Sequence, residues 1–451
     1  MKMKYLILTL VYCLLTLNYG KAAPKNKTKD ETKVAFITVS FDKQLSNDSV
    51  DLTYRDNNWG IGSAELSMPL NTISAKIGEP IKIIFEKQQA FLYANLITRS
   101  GKVLFLSSIV EPSDNIEIKI YNERVIFSGR GKEKLQFKNK IEEDFESWRK
   151  TQTNLSFFKE GKSNIVKKAL KEFKPKIKKH IFQIIKADYL FDANFDFMYV
   201  NYEDFIRKSE SKLGMSDKVL NESSGYLNYI LKAIMMRKLE PQTAVEYINK
   251  NFHDILRDRL LTLYFINKSI KNNQDVALIS DVLKTIKTDY CIDALKNFKA
   301  NSSPKSPAYD FALRDTSGNI VRQSDFKGKI VLLDFFFTGC GWCQLLNEKM
   351  TGIYQLFKNN PNIIFVSISI DRDQKMWKNS IKNHKYTHPG SIDLYTNDEG
   401  SKSKIIEHYN IKSYPHTILI DKDGRIVSAS PPEPHTPKEE NYLIELINSC
   451  L

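Results

Sequence analysis

Hydrophobic and polar positions follow three different rhythms along this chain, and the changes of rhythm divide it. Over residues 34–137 short runs rich in β-branched and aromatic residues recur, as in Val34-Ala35-Phe36-Ile37-Thr38-Val39, Ile81-Lys82-Ile83-Ile84-Phe85, Val103-Leu104-Phe105-Leu106 and Ile116-Glu117-Ile118-Lys119-Ile120. Turn signals at Asp56-Asn57-Asn58 and Ser100-Gly101 separate them, which predicts a small β domain, a sheet or sandwich. Over residues 138–301 glycine becomes scarce and apolar residues fall three and four apart. Ile230, Ile234, Leu239 and then Val245, Ile248, Phe252, Ile255 show that spacing, which predicts an all-α region. Met235-Met236 and Phe252 read as core of that region rather than as contacts to a cofactor.

A polar, proline-bearing linker, Asn301-Ser302-Ser303-Pro304-Lys305-Ser306-Pro307, introduces the third rhythm over residues 302–451. Residues 330–337 form a near-continuous apolar run, the mark of a strand buried on both faces. Residues 344–357 are helical in composition, and 363–370 read as a second buried strand. Residues 410–428 read as two short strands around the turn Asp421-Lys422-Asp423-Gly424. A β-α-β unit followed by a hairpin predicts an α/β domain, so the chain is expected to be multidomain: β, then all-α, then α/β.

The first residues change the picture of where the chain works. Lys2 and Lys4 precede an uncharged, mostly apolar run over 5–17, and Gly20-Lys21-Ala22 supplies small residues for cleavage, so residues 1–22 read as a secretory signal peptide. The run is short of the ~20 residues that span a bilayer; left uncleaved, it would still associate the chain with a membrane. Residues 23–33 are charged and read as a linker. Past the signal only Cys291, Cys340, Cys343 and Cys450 remain, too few for a disulfide-built scaffold, so the fold must rest on hydrophobic cores. Cys291 and Cys450 are either both free or paired with each other. The net charge of +14 is densest at Lys167-Lys168, Lys171, Lys174, Lys176 and Lys178-Lys179, read as a solvated helix face. Phe173 is the one aromatic among these lysines, so they carry no repeating aromatic pattern of a nucleic-acid binder, and no nucleic-acid partner is expected.

The candidate chemistry lies in the last third. Cys340-Gly341-Trp342-Cys343 follows the first buried strand and opens the helical segment. Two intervening residues let the sulfurs meet in disulfide geometry. A helix N-terminus offers free N–H groups to the first sulfur and favours thiolate, the attacking species in disulfide exchange. Cys340 is therefore expected to be an exposed nucleophile and Cys343 the resolving thiol. Asp334 stands inside the apolar strand, where a carboxylate is costly unless it has a task, and could exchange a proton with Cys343 through a water. Tyr414-Pro415 precedes the strand Ile418-Leu419-Ile420, where a proline removes a ladder donor. A zinc reading, Cys340 and Cys343 with His384 and His388, needs a gap of ligands far outside compact zinc-finger spacing. Neither metal nor cofactor is expected.

The strand Val331-Leu332-Leu333-Asp334-Phe335-Phe336, the Cys340–Cys343 motif and Tyr414-Pro415 together resemble a thioredoxin-fold domain. Phe311-Ala312-Leu313, the Asp315–Gly318 turn and Asp325-Phe326-Lys327-Gly328-Lys329 are similar to the TlpA/ResA-like branch, and the whole layout resembles multidomain TlpA-like proteins of Bacteroidetes. The resemblance implies a cis Pro415, a nucleophilic Cys340, a resolving Cys343 and a proton-transferring Asp334, with Trp342, Tyr414 and Pro415 meeting the substrate. It implies reduction of protein disulfides in the periplasm or envelope of a Gram-negative bacterium, fed by an unidentified thiol-redox electron donor. Gly341-Trp342 departs from the pattern, in which proline usually stands second, so a disulfide-forming oxidase stays open. So does a partner-binding protein that uses the domain as a docking module. Gly339 stands where thioredoxin has Trp. Leu346 replaces the acidic residue that some haem-maturation reductases place three positions after the second cysteine.

Overall fold

The computed structural model describes residues 33–451 apart from 42–48, 55–70, 87–88, 99–101, 122–123, 152–157, 193–195, 197–199, 269, 271–272 and 412. The signal peptide, the charged segment up to residue 32 and the turn signals at 56–58 and 100–101 lie outside the described residues.

The first strands are β1 (Lys33–Phe41), β2 (Ser49–Tyr54), β3 (Asn71–Lys76), β4 (Pro80–Phe85), β5 (Leu92–Thr98), β6 (Val103–Val110), β7 (Asn115–Tyr121) and β8 (Arg124–Arg130). They form two four-stranded sheets, ordered β4-β1-β7-β8 and β3-β2-β5-β6. Alternate residues such as Ala35, Ile37 and Val39 of β1 and Val50 and Leu52 of β2 enter one shared core. Each such valine, leucine or isoleucine side chain stabilises the sandwich by roughly 1.5–3 kcal/mol. Strand β3 buries none of its residues, which is why no apolar signal marks it.

Gly131, at φ +94°, ends the sheet and caps the first helix. A Cβ there would lie 2.2 Å from the Asp114 carboxylate and sit in a backbone region that side chains avoid. Helix therefore begins at Lys132, and residues up to 137 that the pattern grouped with strands already lie on it. The helices are α1 (Lys132–Arg149), α2 (Phe158–Phe173), α3 (Lys179–Leu190), α4 (Tyr202–Ser209) and α5 (Asp217–Glu222). They continue with α6 (Ser224–Met236), α7 (Pro241–Asn251), α8 (Asp254–Lys268), α9 (Asn273–Thr285) and α10 (Asp289–Ser302). Their core includes Phe91, Tyr93 and Ile109 from the sandwich, so sheet and helices are packed as one body. Cys291 is buried in it and free, and Cys450 is free as well; no bridge joins them.

The last region consists of β9 (Ala312–Asp315), β10 (Ile320–Arg322), β11 (Ile330–Phe336), α11 (Gly341–Lys349), α12 (Thr351–Phe357), β12 (Ile363–Ser369) and α13 (Gln374–Ile381). After these come β13 (Ile392–Tyr395), α14 (Lys404–His408), β14 (His416–Ile420), β15 (Ile426–Ser428) and α15 (Pro437–Asn448). Its sheet has the order β10-β9-β13-β12-β11-β14-β15, with β11 parallel to β12 and antiparallel to β14. Every residue of β11 is buried. Val331, Leu333 and Phe335 enter the core on one face, Ile330 and Leu332 that on the other. The proline-bearing linker is not free: Asn301 and Ser302 end α10, and Lys305 N–H donates to Ile426 C=O at 2.7 Å, docking the segment on β15.

Candidate functional site

The chain leaves β11 at its carboxyl end and turns through residues 337–340 into α11. Gly339 makes that turn at φ +96°, a conformation an L side chain adopts only with strain, which accounts for glycine rather than tryptophan here. The turn is clamped from outside. Thr338 N–H and hydroxyl donate to the Asp371 carboxylate at 2.9 and 2.7 Å. Gly339 N–H and the Gln344 amide donate to the Tyr386 hydroxyl oxygen at 2.9 and 2.8 Å.

Cys340 caps α11: the Cys343 N–H donates to its Sγ at 3.1 Å. A disulfide joins Cys340 and Cys343, whose Cα atoms are 5.3 Å apart. The expectation of an exposed Cys340 is overturned, since the residue is only 5% exposed. The clamped turn draws it into an aromatic cluster with Phe336, Trp377, Tyr386 and Tyr395, against which Tyr414 packs. Trp377 stacks on Tyr395 and Phe336 on Tyr386, with ring centroids 4.9 and 5.6 Å apart. The Tyr414–Pro415 peptide is cis, and Tyr414 C=O lies 3.7 Å from Cys340 Sγ. Phe337 meets the Tyr414 ring edge-on at 5.8 Å. Trp342, by contrast, is 67% exposed at the start of α11.

Asp334 sits behind this surface, opposite Thr417 in the β11–β14 register. It shares the sheet face of Ile330 and Leu332 and borders a cavity of about 10 Å³, the scale of one water. Leu346 of α11, one turn beyond Cys343, lines that cavity with Met350, Tyr354, Phe365 and Ser367. Asp334 Oδ1 has no hydrogen-bond partner. Burial, with a smaller contribution from the like charge of Glu433, pushes the Asp334 carboxyl up to about 8. On the neighbouring strand, burial pushes His416 down to about 4, which keeps its ring neutral. The structure thus brings Cys340, Cys343 and the cis Tyr414–Pro415 peptide together, buries Asp334 in the preceding strand β11, and leaves Trp342 on the surface.

Sequence reasoning missed Asp371, Tyr386 and Trp377. Asp371 carried a readable signal, because it follows β12 directly at the carboxyl end of a parallel strand, where α/β folds gather functional groups. Tyr386 and Trp377 carried none.

A thioredoxin-like family model matches residues 328–426. The thiol-disulfide oxidoreductase ResA of Bacillus cereus is 30% identical over 136 residues, which take in 30% of this chain and 74% of that protein. ResA of Bacillus subtilis is 28% identical over 129 residues, 29% of this chain and 68% of that one. The crystallised thioredoxin domain of a thiol-disulfide oxidoreductase from Bacteroides vulgatus is 29% identical, covering 33% of this chain and 94% of its own, with a TM-score of 0.27. The buried cysteine pair on a helix N-terminus and the match to ResA of Bacillus cereus lead to one assignment: the chain belongs to the ResA-like thiol-disulfide oxidoreductases of the thioredoxin family.

Proposed function

We propose that the chain reduces disulfides of exported proteins through the Cys340/Cys343 dithiol. The observation that carries this reading is the Cys340–Cys343 pair at a helix N-terminus, with the Cys343 N–H on the Cys340 sulfur and the cis Tyr414–Pro415 peptide beside it. In the reduced enzyme the Cys340 thiolate attacks one sulfur of a substrate disulfide. A new S–S bond forms, the substrate S–S bond breaks, and one substrate sulfur leaves as thiolate and takes a proton from solvent. In this reading Asp334 takes up the Cys343 proton through an intervening water, and the Cys343 thiolate attacks the Cys340 sulfur of the mixed disulfide. The products are the Cys340–Cys343 disulfide and a second substrate thiolate, two electrons having passed to the substrate. An external dithiol donor restores the enzyme.

The Cys343 N–H that points at Cys340 Sγ supports Cys340 as the attacking sulfur, because it stabilises negative charge there. Substrate backbone would lie along Tyr414-Pro415, with exposed Trp342 gripping its flank. The apolar leader in the sequence supports an exported protein of the periplasm or cell envelope.

A Cys343→Ser variant should accumulate a mixed disulfide through Cys340 with a scrambled-disulfide substrate; its absence under every redox condition would sink the mechanism. The potential of the pair decides direction: a value near the thioredoxin level of about −270 mV supports a reductase, one near about −120 mV an oxidase.

A further inference from the structure

One oxygen atom, the Tyr386 hydroxyl, brackets the cysteine motif. Gly339 stands immediately before Cys340 and Gln344 immediately after Cys343. The Gly339 N–H and the Gln344 side-chain amide both donate to that hydroxyl, at 2.9 and 2.8 Å. Between them, Gln344 N–H donates to Cys340 C=O at 3.2 Å and closes the first turn of α11. Tyr386 lies in the stretch between α13 and β13. Its ring is buried and stacked on Phe336, the last residue of β11. The Asn347 amide donates to His384 C=O at 2.8 Å, a second link from α11 to the same stretch. Packing of the ring thus fixes the hydroxyl, and the hydroxyl meets both ends of the motif.

What the bracket does depends on the state of the cysteines. While the disulfide is closed, the S–S bond itself keeps Cys340 beside Cys343. Once it is reduced, only non-covalent contacts keep the Cys340 sulfur on the Cys343 N–H, the donor that stabilises its thiolate. The turn carrying Cys340 includes Gly339 at φ +96°, and a released glycine has the widest choice of backbone conformations. An acceptor on the Gly339 N–H removes that freedom, because a buried N–H left without one is costly. Asp371 holds Thr338 in a similar way, but a carboxylate near a thiolate mixes position with repulsion. The Tyr386 phenol brings no such charge and acts by position alone.

We infer that Tyr386 is a positioning residue of thiol–disulfide exchange, whose hydroxyl keeps Cys340 on the helix N-terminus while the disulfide is open. The inference rests on the attack by the Cys340 thiolate proposed above, and it holds for either direction of electron flow.

Alkylation of the reduced full chain by iodoacetamide, followed as a function of pH, tests this. Site-resolved mass spectrometry separates Cys340 from Cys343, Cys291 and Cys450. The wild-type midpoint for Cys340 is expected below the ordinary cysteine value of about 8.5. Tyr386→Phe keeps the ring and removes only the hydroxyl. It should raise that midpoint by at least about half a unit, roughly a threefold loss of thiolate at lower pH. A contribution to packing alone would leave the midpoint in place, and thermal unfolding reports whether the variant is folded. If it does not fold, Gln344→Leu decides by the same midpoint, since it removes one arm of the bracket at a partly exposed position. A wild-type midpoint at about 8.5 overturns both the thiolate attack and this inference. A lowered wild-type midpoint that the folded variant retains overturns this inference alone.

Discussion

Two aspartates buried in different regions show how one residue type does different work. Asp188, where sandwich and helices meet, accepts from the Tyr93 hydroxyl at 2.9 Å, the Ser223 hydroxyl at 2.7 Å and Gly225 N–H at 2.9 Å. Burial pushes its carboxyl up to about 6, and the three donors hold it from going higher. Asp334 has lost water too, but its Oδ1 has gained no donor in return, and its carboxyl stands at about 8. A carboxylate with its lone pairs satisfied is a structural joint. One left short beside a water-sized cavity is poised to take and give protons near neutral pH. The second arrangement costs stability, and it persists where chemistry uses it.

That contrast can be broken at several points. Cys340→Ser should lower reduction of insulin disulfides by at least a thousandfold, since no other described cysteine sits on a helix N-terminus beside Pro415; substantial residual turnover would detach the chemistry from this site. Asp334→Asn should slow exchange by about a hundredfold and remove the part of the pH–rate profile centred near 8.

The same Asp334→Asn substitution has a thermodynamic signature with a definite sign. In the unfolded chain the carboxyl titrates near 4, and in the folded protein near 8. Below pH 4 both states are protonated and burial of the charge costs nothing. Between pH 4 and 8 the folded state holds more protons, so wild-type stability falls as pH rises. Asparagine escapes this, so the variant should gain on the wild type across that window, by roughly 1.4 kcal/mol per unit at most, and the gain should level off above pH 8. Urea unfolding at pH 5 and pH 9 measures it; equal stabilities at both would show that Asp334 is solvated.

Asp188→Ala should behave in the opposite way. It leaves the Ser223 hydroxyl and Gly225 N–H without their acceptor, while Tyr93 keeps Glu222 C=O at 3.3 Å, and should cost about 2 kcal/mol, read from the urea midpoint; a loss below about 0.5 kcal/mol would deny Asp188 its role as a joint. The smallest effect belongs to Trp342→Ala. Because that side chain is exposed, stability should stay within about 0.5 kcal/mol while KM for a protein disulfide rises severalfold. An unchanged KM would remove Trp342 from the substrate surface.

What the amino-acid sequence determined by itself is local. The apolar run of β11, the three-residue step from Cys340 to Cys343, the hairpin at Asp421–Gly424 and the helical spacing around Ile230 are relations between residues close in the chain, which backbone geometry turns directly into elements. Asp334 was legible for the same reason, as a charge out of place in an apolar strand. Strand β3 was not, because an element that buries nothing carries no pattern. Only tertiary structure decided that Cys340 is buried, since the groups that bury it and clamp its turn, Tyr386, Asp371 and Trp377, arrive from 31 to 46 residues away. It likewise decided that Asp188 meets Tyr93 across 95 positions. Pairings of that kind depend on how whole elements stack, and no short stretch of sequence records the stacking.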